Sequence, residues 1–218
     1  MSSIVLLSGG LDSTVSLGQA LKEDDVRLCL TFDYGQRAGQ REIESASKIA
    51  AHYGLEHRVI NLPFLGEITS TALVDTGKTV PEPGYEDFSM PGAMENTARL
   101  VWVPNRNGVF INIAAAFAEA MGCGRVVTGF NAEEAATFPD NSREYLLAAG
   151  KALSYSTMNG VRVISYTQML DKAGIVRLGR RIGAPLEYVW PCYHGGESLC
   201  GLCESCRRYF MALERAGE

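Results

Sequence analysis

Short apolar runs alternate with segments of helical period through the first third of the chain. The intervening segments predict a helix from Leu11 to Leu21 and a second over 39–54. The runs are rich in β-branched and apolar residues and predict buried strands at 4–7, 26–35 and 57–62. Strand, helix, strand, helix, strand in this length is typical of right-handed crossover units and a parallel sheet.

The second half of the chain repeats the alternation. Helices are predicted at 108–122, 142–156 and 171–183, and strands at 125–130 and 161–166. The pattern predicts an α/β fold in which a parallel sheet is sandwiched by helices. We expect residues 1–185 to form this domain and residues 186–218 to form a segment packed on it.

The segment 63–100 interrupts the rhythm. It carries four prolines and no sustained period. Because a long structureless connection inside a compact domain is usually functional or disordered, we expect an irregular excursion or a flexible lid.

Composition narrows the class of protein. Of 218 residues, 46% are hydrophobic and 21% charged, as in soluble globular proteins. No apolar run approaches the roughly 18 residues of a membrane span. The opening MSSIVLLSGG lacks the positive charge that precedes the apolar part of a signal peptide, so we expect a cytoplasmic protein. The net charge of −5 argues against direct, non-specific binding of nucleic acid.

The segment SGGLDSTV at 8–15 follows the first predicted strand. Glycines permit a tight turn whose N–H groups approach an anion, and a helix N-terminus adds partial positive charge. Ser8, Ser13 and Thr14 add hydroxyl donors, and ligands of open parallel sheets bind at this edge. One interpretation is a phosphate cradle, although neither the Walker nor the G-x-G-x-x-G pattern is present. The other is a strand–turn–helix corner whose glycines serve packing alone.

Four of the six cysteines lie close together near the C-terminus. Cys192, Cys200, Cys203 and Cys206 are spaced C-x7-C-x2-C-x2-C. Such spacing predicts one structural Zn²⁺ per chain, because a closed four-thiolate shell leaves no position for substrate. An iron–sulfur cluster, a redox dithiol and unligated thiols are the alternatives.

Several motifs carry a resemblance to known families. S-G-G-x-D-S after the first strand resembles the signature of the PP-loop ATP pyrophosphatases, which split ATP between its α and β phosphates. With the cysteines, the chain resembles the 7-cyano-7-deazaguanine synthase family. The shared sequence motifs are FDYGQR at 32–37, VPNRN at 103–107, VTGFN at 127–131 and CGLCESC at 200–206. The resemblance implies an adenine nucleotide alpha hydrolase-like fold with a C-terminal zinc knuckle.

The resemblance also implies site residues. Asp12, Arg106, Asp140 and Lys172 become the candidate catalytic residues. ATP would be bound, with Mg²⁺ present, by residues of the glycine turn and two further motifs: Leu7, Ser8, Gly9, Gly10, Leu11, Asp12, Ser13, Thr14, Val15, Arg37 and Gly129.

The implied reaction converts 7-carboxy-7-deazaguanine, ATP and ammonia to the 7-cyano product, in queuosine and archaeosine biosynthesis. It would proceed through an acyl-adenylate and an amide, in a homodimer. The chain departs from the family pattern at Asn141, Ser142 and Gly174, which leaves the nitrile and the amide both open as product. The remaining alternatives are a PP-loop tRNA-thiolating enzyme and a zinc-knuckle, nucleotide-binding regulatory protein.

Overall fold

A parallel sheet forms the centre of the protein. The computed structural model describes residues 1–90 and 92–217, and within them the sheet has five strands in the order β3-β2-β1-β4-β5. All neighbouring pairs run parallel. The strands are β1 (Ser2–Leu6), β2 (Asp25–Asp33), β3 (His57–Asn61), β4 (Arg125–Thr128) and β5 (Arg162–Ser165). The predicted parallel sheet is therefore confirmed.

Helices cover both faces of this sheet. They are α1 (Leu11–Glu23), α2 (Gly39–His52), α3 (Pro63–Glu67), α4 (Ala93–Val101), α5 (Arg106–Ala120), α6 (Ala132–Ala135), α7 (Arg143–Ser156), α8 (Lys172–Ile182) and α9 (Glu204–Arg215). Short 3₁₀ turns lie at Glu86–Ser89, Pro139–Asn141 and Leu186–Tyr188. Among the described residues, no helix combines the length and apolarity needed to cross a membrane.

Successive residues of β1 point to two separate cores. Ile4 packs with Ile111 of α5 and with Leu146 of α7, whereas Val5 packs with Leu17 of α1 and Ile49 of α2. The alternation follows from the two-residue period of a strand. It explains why the strand runs are apolar at nearly every position, as expected for a sheet covered on both faces.

The strand order reverses beside β1. From β1 the chain builds outward through β2 and β3, and then returns to place β4 against the other side of β1. Connections leaving β1 and β4 therefore diverge, which opens a crevice at the carboxyl ends of these strands. The turn at residues 8–10 lies at this crevice.

The excursion at 63–100 is more ordered than the sequence indicates. It contains α3, a 3₁₀ turn and most of α4, so the expectation of an irregular segment is wrong for these parts. Its middle is anchored by Arg37, whose guanidinium donates to the carbonyl oxygens of Ala72, Asp75 and Lys78.

The C-terminal segment includes a helix that the sequence analysis does not predict. α9 packs its apolar side, Ala212 with Tyr209 and Leu213, against Ile175 and Val176 of α8. The segment therefore rests on the helical layer that covers the sheet. The division of the chain after residue 185 stays a prediction.

Candidate active site

A cavity of about 270 Å³ opens at the carboxyl end of the sheet. Its floor comes from the ends of β1, β2 and β4, and charged side chains stand on one part of its wall. Aromatic side chains make up much of the remainder: Phe32, Tyr34, Phe110, Phe130, Trp190, Tyr193 and Tyr209. Phosphates and a planar heterocycle are the ligand groups that such a mixed lining suits.

The glycine turn presents hydrogen-bond donors to this cavity. Gly9 has φ +79°, and its carbonyl accepts from Ser45 Oγ at 2.9 Å and from the backbone N–H of Trp190 at 2.9 Å. α1 then begins at Leu11 with no side-chain cap at Gly10. The first N–H groups of a helix have no partner within it, so those of α1 are available to an anion in the cavity. The Ser8 and Ser13 hydroxyls, 3.1 Å apart, stand beside them.

The end of β4 approaches this turn closely. A Cβ atom on Gly129 would lie 2.6 Å from the backbone N of Ser13. A side chain at this position would therefore push the end of β4 away from the N-terminus of α1. Gly129 thus keeps the crevice narrow where the turn faces it.

Lys172 joins three elements at the charged part of the wall. Its Nζ lies 2.5 Å from Asp12 Oδ2 in α1 and 2.5 Å from Glu134 Oε1 in α6. Burial raises the pKa of Asp12 to about 6, although the Lys172 ammonium opposes the shift. Burial lowers the pKa of Lys172, but the two carboxylates outweigh it and raise that pKa above its usual range. Lys172 is therefore a cation at neutral pH.

One oxygen of Asp12 has no partner within the part of the chain that the structure describes. Its Oδ1 is buried and accepts no hydrogen bond from those residues, while Oδ2 contacts Lys172. Carboxylate oxygens are ligands that Mg²⁺ prefers, and this one stands at the glycine turn. The residues present therefore fit a magnesium ion that accompanies a nucleotide.

Arg106 and Asp140 belong to a second polar group. Arg106 lines the cavity and its Nη1 lies 3.0 Å from the Tyr34 hydroxyl. Asp140 accepts from Asn107 Nδ2 at 2.9 Å and from Asn141 Nδ2 at 3.2 Å. Burial raises the pKa of Asp140, and Arg106 opposes the shift. Asp140 is not in the lining, so it reaches the cavity only through its asparagine neighbours.

The structure brings most of the predicted site residues together. Those in the lining are Leu7, Ser8, Gly10, Leu11, Asp12, Ser13, Arg106, Gly129 and Lys172. The others support the turn from behind or lie elsewhere. Thr14 donates its hydroxyl to the Gly10 carbonyl, and Val15 packs in the core between α1 and α8. Arg37 requires a correction: its side chain binds carbonyl groups of the excursion and does not line the cavity.

The four C-terminal cysteines form a cluster. Their sulfur atoms all lie within 4.8 Å of one another. Backbone N–H groups of His194, Leu202 and Cys203 point at these sulfurs, at 3.3 to 3.4 Å. Four sulfurs at this separation fit one tetrahedral metal ion. The predicted metal-ligating cysteines are thus confirmed as a cluster able to hold a metal.

The sequence analysis missed Glu134 and the aromatic wall of the C-terminal segment. Glu134 lies six residues after the end of β4, within the segment FNAEEA, and an acid close to a strand end was the available signal. Trp190 and Tyr193 lie beside Cys192 in sequence, but nothing in the pattern shows that they face the cavity.

Comparison with known proteins gives one consistent result. A relative from Pelotomaculum thermopropionicum named 7-cyano-7-deazaguanine synthase is 60% identical over all of this chain and 98% of its own length. A relative of the same name from Methanosarcina mazei is 51% identical over all of this chain and 95% of its own length.

Similarity to solved structures is weaker. An NMN synthetase from Francisella tularensis is 17% identical, with a TM-score of 0.49 over 99% of this chain and 82% of that chain. The fold is defined by the strand order of the sheet itself.

The model of the family described as queuosine biosynthesis protein QueC matches residues 2–217. The match takes in the turn at 8–15, the charged group around Lys172 and the cysteine cluster. The chain belongs to this family.

Proposed function

We propose that the protein converts 7-carboxy-7-deazaguanine, ammonia and ATP into 7-cyano-7-deazaguanine, for queuosine biosynthesis. The name of the relatives at 51 and 60% identity supports this reaction over tRNA thiolation or a regulatory role. The observation that carries it is the Asp12–Lys172 pair, which stands at a phosphate turn in a cavity with an aromatic wall.

In the first half-reaction the substrate carboxylate attacks the α-phosphorus of ATP. An O–P bond forms, the bond to the β-phosphate bridging oxygen breaks, and pyrophosphate leaves. The N–H groups at the start of α1 and the Ser8 and Ser13 hydroxyls would hold the departing phosphates. Lys172 would stabilise the charge that develops on them. Ammonia then displaces AMP from the acyl carbon and leaves a primary amide and a proton.

In the second half-reaction the amide oxygen attacks another ATP and releases pyrophosphate. Two N–H protons are lost and AMP departs with the oxygen, which leaves the nitrile. Both half-reactions form an O–P bond at the α-phosphorus and release pyrophosphate. One nucleotide site would therefore serve both in turn. Arg106 and, through Asn107, Asp140 would orient the heterocyclic substrate.

Two metals accompany this proposal. Mg²⁺ would be held by Asp12 Oδ1 and would neutralise charge on the phosphates. Zn²⁺ would be held by Cys192, Cys200, Cys203 and Cys206 in a structural role. We also retain a homodimer in the cytoplasm as a prediction from the family resemblance.

The test is a turnover assay with alternative acceptors. The protein is incubated with Mg-ATP and ammonium, together with 7-carboxy-7-deazaguanine or with unmodified tRNA. We expect AMP, pyrophosphate and a product with the mass of the nitrile from the heterocyclic acid alone. A product that stops at the mass of the amide would limit the proposal to its first half. A sulfur-containing tRNA, or ADP as the nucleotide product, would contradict it.

A further inference from the structure

Two adjacent glutamates of α6 hold opposite ends of one residue, Lys172. Glu134 Oε1 lies 2.5 Å from Lys172 Nζ, and Glu133 Oε2 accepts the backbone N–H of Lys172 at 3.2 Å. Lys172 is the first residue of α8, so its N–H has no partner within that helix. Glu133 therefore fixes where the Lys172 side chain starts, and Glu134 fixes where it ends.

Arg208 of α9 holds the first of these glutamates. Its Nη1 lies 2.6 Å from Glu133 Oε1, and its Nε lies 3.0 Å from Glu204 Oε1. The Arg208 side chain is only 10% exposed, and its guanidinium carbon lies 5.1 Å from the centre of the Phe88 ring. Charges attract each other more strongly in such a water-poor site than at the surface. The Arg208–Glu133 pair is thus a defined link between α9 and α6.

We propose that Arg208 is a positioning residue for the reaction, acting through Glu133 on the placement of Lys172 beside Asp12. As far as turnover is concerned, this inference rests on the proposed function. Among the described residues, neither Arg208 nor Glu133 is in the cavity lining, so their effect reaches the substrate through Lys172. The link connects α9, whose N-cap residue is Cys203 of the cysteine cluster, with the charged group at the phosphate turn.

The placement of Lys172 matters because phosphoryl chemistry depends on geometry. A shift of about 1 Å in a group that stabilises the transition state can reduce the rate by about a hundredfold. Without the Arg208 side chain, the Glu133 carboxylate loses this ion pair. It can then rotate away from the N-terminus of α8. Lys172 would keep its contacts with Asp12 and Glu134, so we expect a partial loss.

The experiment compares Arg208→Met and Arg208→Lys with a matched control, Arg207→Met. Arg207 is the next residue of the same helix, and its guanidinium lies 4.9 Å from the Tyr85 ring of the excursion. Among the described residues it forms no ion pair. We expect Arg208→Met to lower kcat about tenfold and to weaken ATP binding, with KM for 7-carboxy-7-deazaguanine changed less than about twofold. Arg208→Lys should recover part of the loss, and Arg207→Met should behave as the parent.

A second variant guards against misfolding of α9. Glu133→Gln leaves the pair of Arg208 with Glu204 intact, but its single side-chain oxygen cannot serve both Arg208 and the Lys172 N–H. We expect it to reproduce the fall in kcat at unchanged melting temperature and metal content, which a role in stability alone would not do.

ATP affinity measured by calorimetry without the acid substrate separates the two claims. A parent protein that makes no nitrile would refute the proposed function, while the ATP affinities would still decide the role of Arg208. The inference is overturned if Arg208→Met and Glu133→Gln both bind ATP as tightly as Arg207→Met. Equal losses in all three variants would overturn it as well.

Discussion

The cavity has two walls that are built in different ways. The turn wall, formed by residues 8–13 with Gly129 and Lys172, stands on the ends of parallel strands and on the core beneath them. The cysteine wall, formed by Trp190, Tyr193, Ser205 and Tyr209, belongs to the segment that carries the cysteine cluster. Around the cysteine sulfurs, Val80 of the excursion is buried, and Trp190, Tyr193, Leu199 and Phe210 pack against the cluster while partly buried.

This difference separates two sources of stability. The turn wall is held by sheet hydrogen bonds and by apolar burial, which need no ligand. The cysteine wall joins the core through Tyr209, which packs on α8, but the apolar cluster around its sulfurs is small. A structural metal supplies folding energy in such a case. The two walls meet at the Gly9 carbonyl, which accepts from the backbone N–H of Trp190. Ser45 Oγ bridges them as well, because it contacts the carbonyls of Gly9 and Tyr188. Loss of metal should therefore disturb one wall directly and the other only through these contacts.

Removal of one cysteine should have the largest effect, and it should act on the cysteine wall first. Cys203→Ala removes one of the four sulfurs of the cluster, so we expect loss of bound metal, a lower melting temperature and a fall of about a hundredfold in kcat/KM. Cys123→Ala is the matched control, because Cys123 is equally buried but packs in the sheet core. Metal content and activity measured on both variants check this. Full activity in metal-free Cys203→Ala would show that the cysteine wall folds alone.

A single methyl group added at Gly129 should weaken the binding of ATP at the turn wall. In Gly129→Ala the new Cβ would meet the Ser13 backbone 2.6 Å away, so α1 or β4 must move. We expect ATP affinity to fall about tenfold, with metal content unchanged, because the N–H donors are displaced. In the control, Gly124→Ala, the Cβ meets nothing within 4 Å. Equal ATP affinities for the two variants, measured by calorimetry, would exclude the close approach as a determinant of binding.

The pH dependence sharpens the assignment of the turn wall. Asp12 must be ionised to pair with Lys172 and to offer an oxygen to Mg²⁺. Because its pKa is raised to about 6, kcat/KM should rise with pH through about 6 and level off above it. One pH unit below the pKa, the rate should be about tenfold lower. In Asp140→Asn this limb should persist. Its disappearance there would assign the titration to Asp140.

The smallest effect is expected for Arg37. Its guanidinium holds three carbonyl groups of the excursion, outside the lining. Arg37→Met should leave ATP affinity within about twofold of the parent and lower the free energy of unfolding by about 1 to 3 kcal/mol. Chemical denaturation and calorimetry check both parts. A large loss of ATP affinity at unchanged stability would return Arg37 to the phosphate site.

The sequence predicts the turn at residues 8–13 because these residues are contiguous. A strand, a glycine turn and a helix N-terminus follow each other at 4–15, and the physical reason for an anion site lies in that order. The cysteine cluster is predictable for the same reason, since the spacing of four thiols within fifteen residues carries the information.

Residues brought together from distant segments could not be predicted in this way. Glu134 reaches the site because α6 follows β4 and α8 follows β5, and these two strands are neighbours in the sheet. Their adjacent ends bring Glu134 into contact with Lys172. The motif FDYGQR predicts that Arg37 binds ATP. In the fold, its guanidinium instead contacts three carbonyl groups of the excursion. α4 escaped prediction because only Ala98 and Val101 are buried along it, which gives too little period to detect.

The central claim is that one cavity holds ATP with its phosphates on the turn wall. The most direct measurement is a crystal structure of the protein with α,β-methylene ATP and Mg²⁺, since this analogue cannot release pyrophosphate. We expect the β and γ phosphates on the N–H groups at the start of α1, with Lys172 in contact and the ion on Asp12. Phosphates bound elsewhere, with the turn facing solvent, would contradict it.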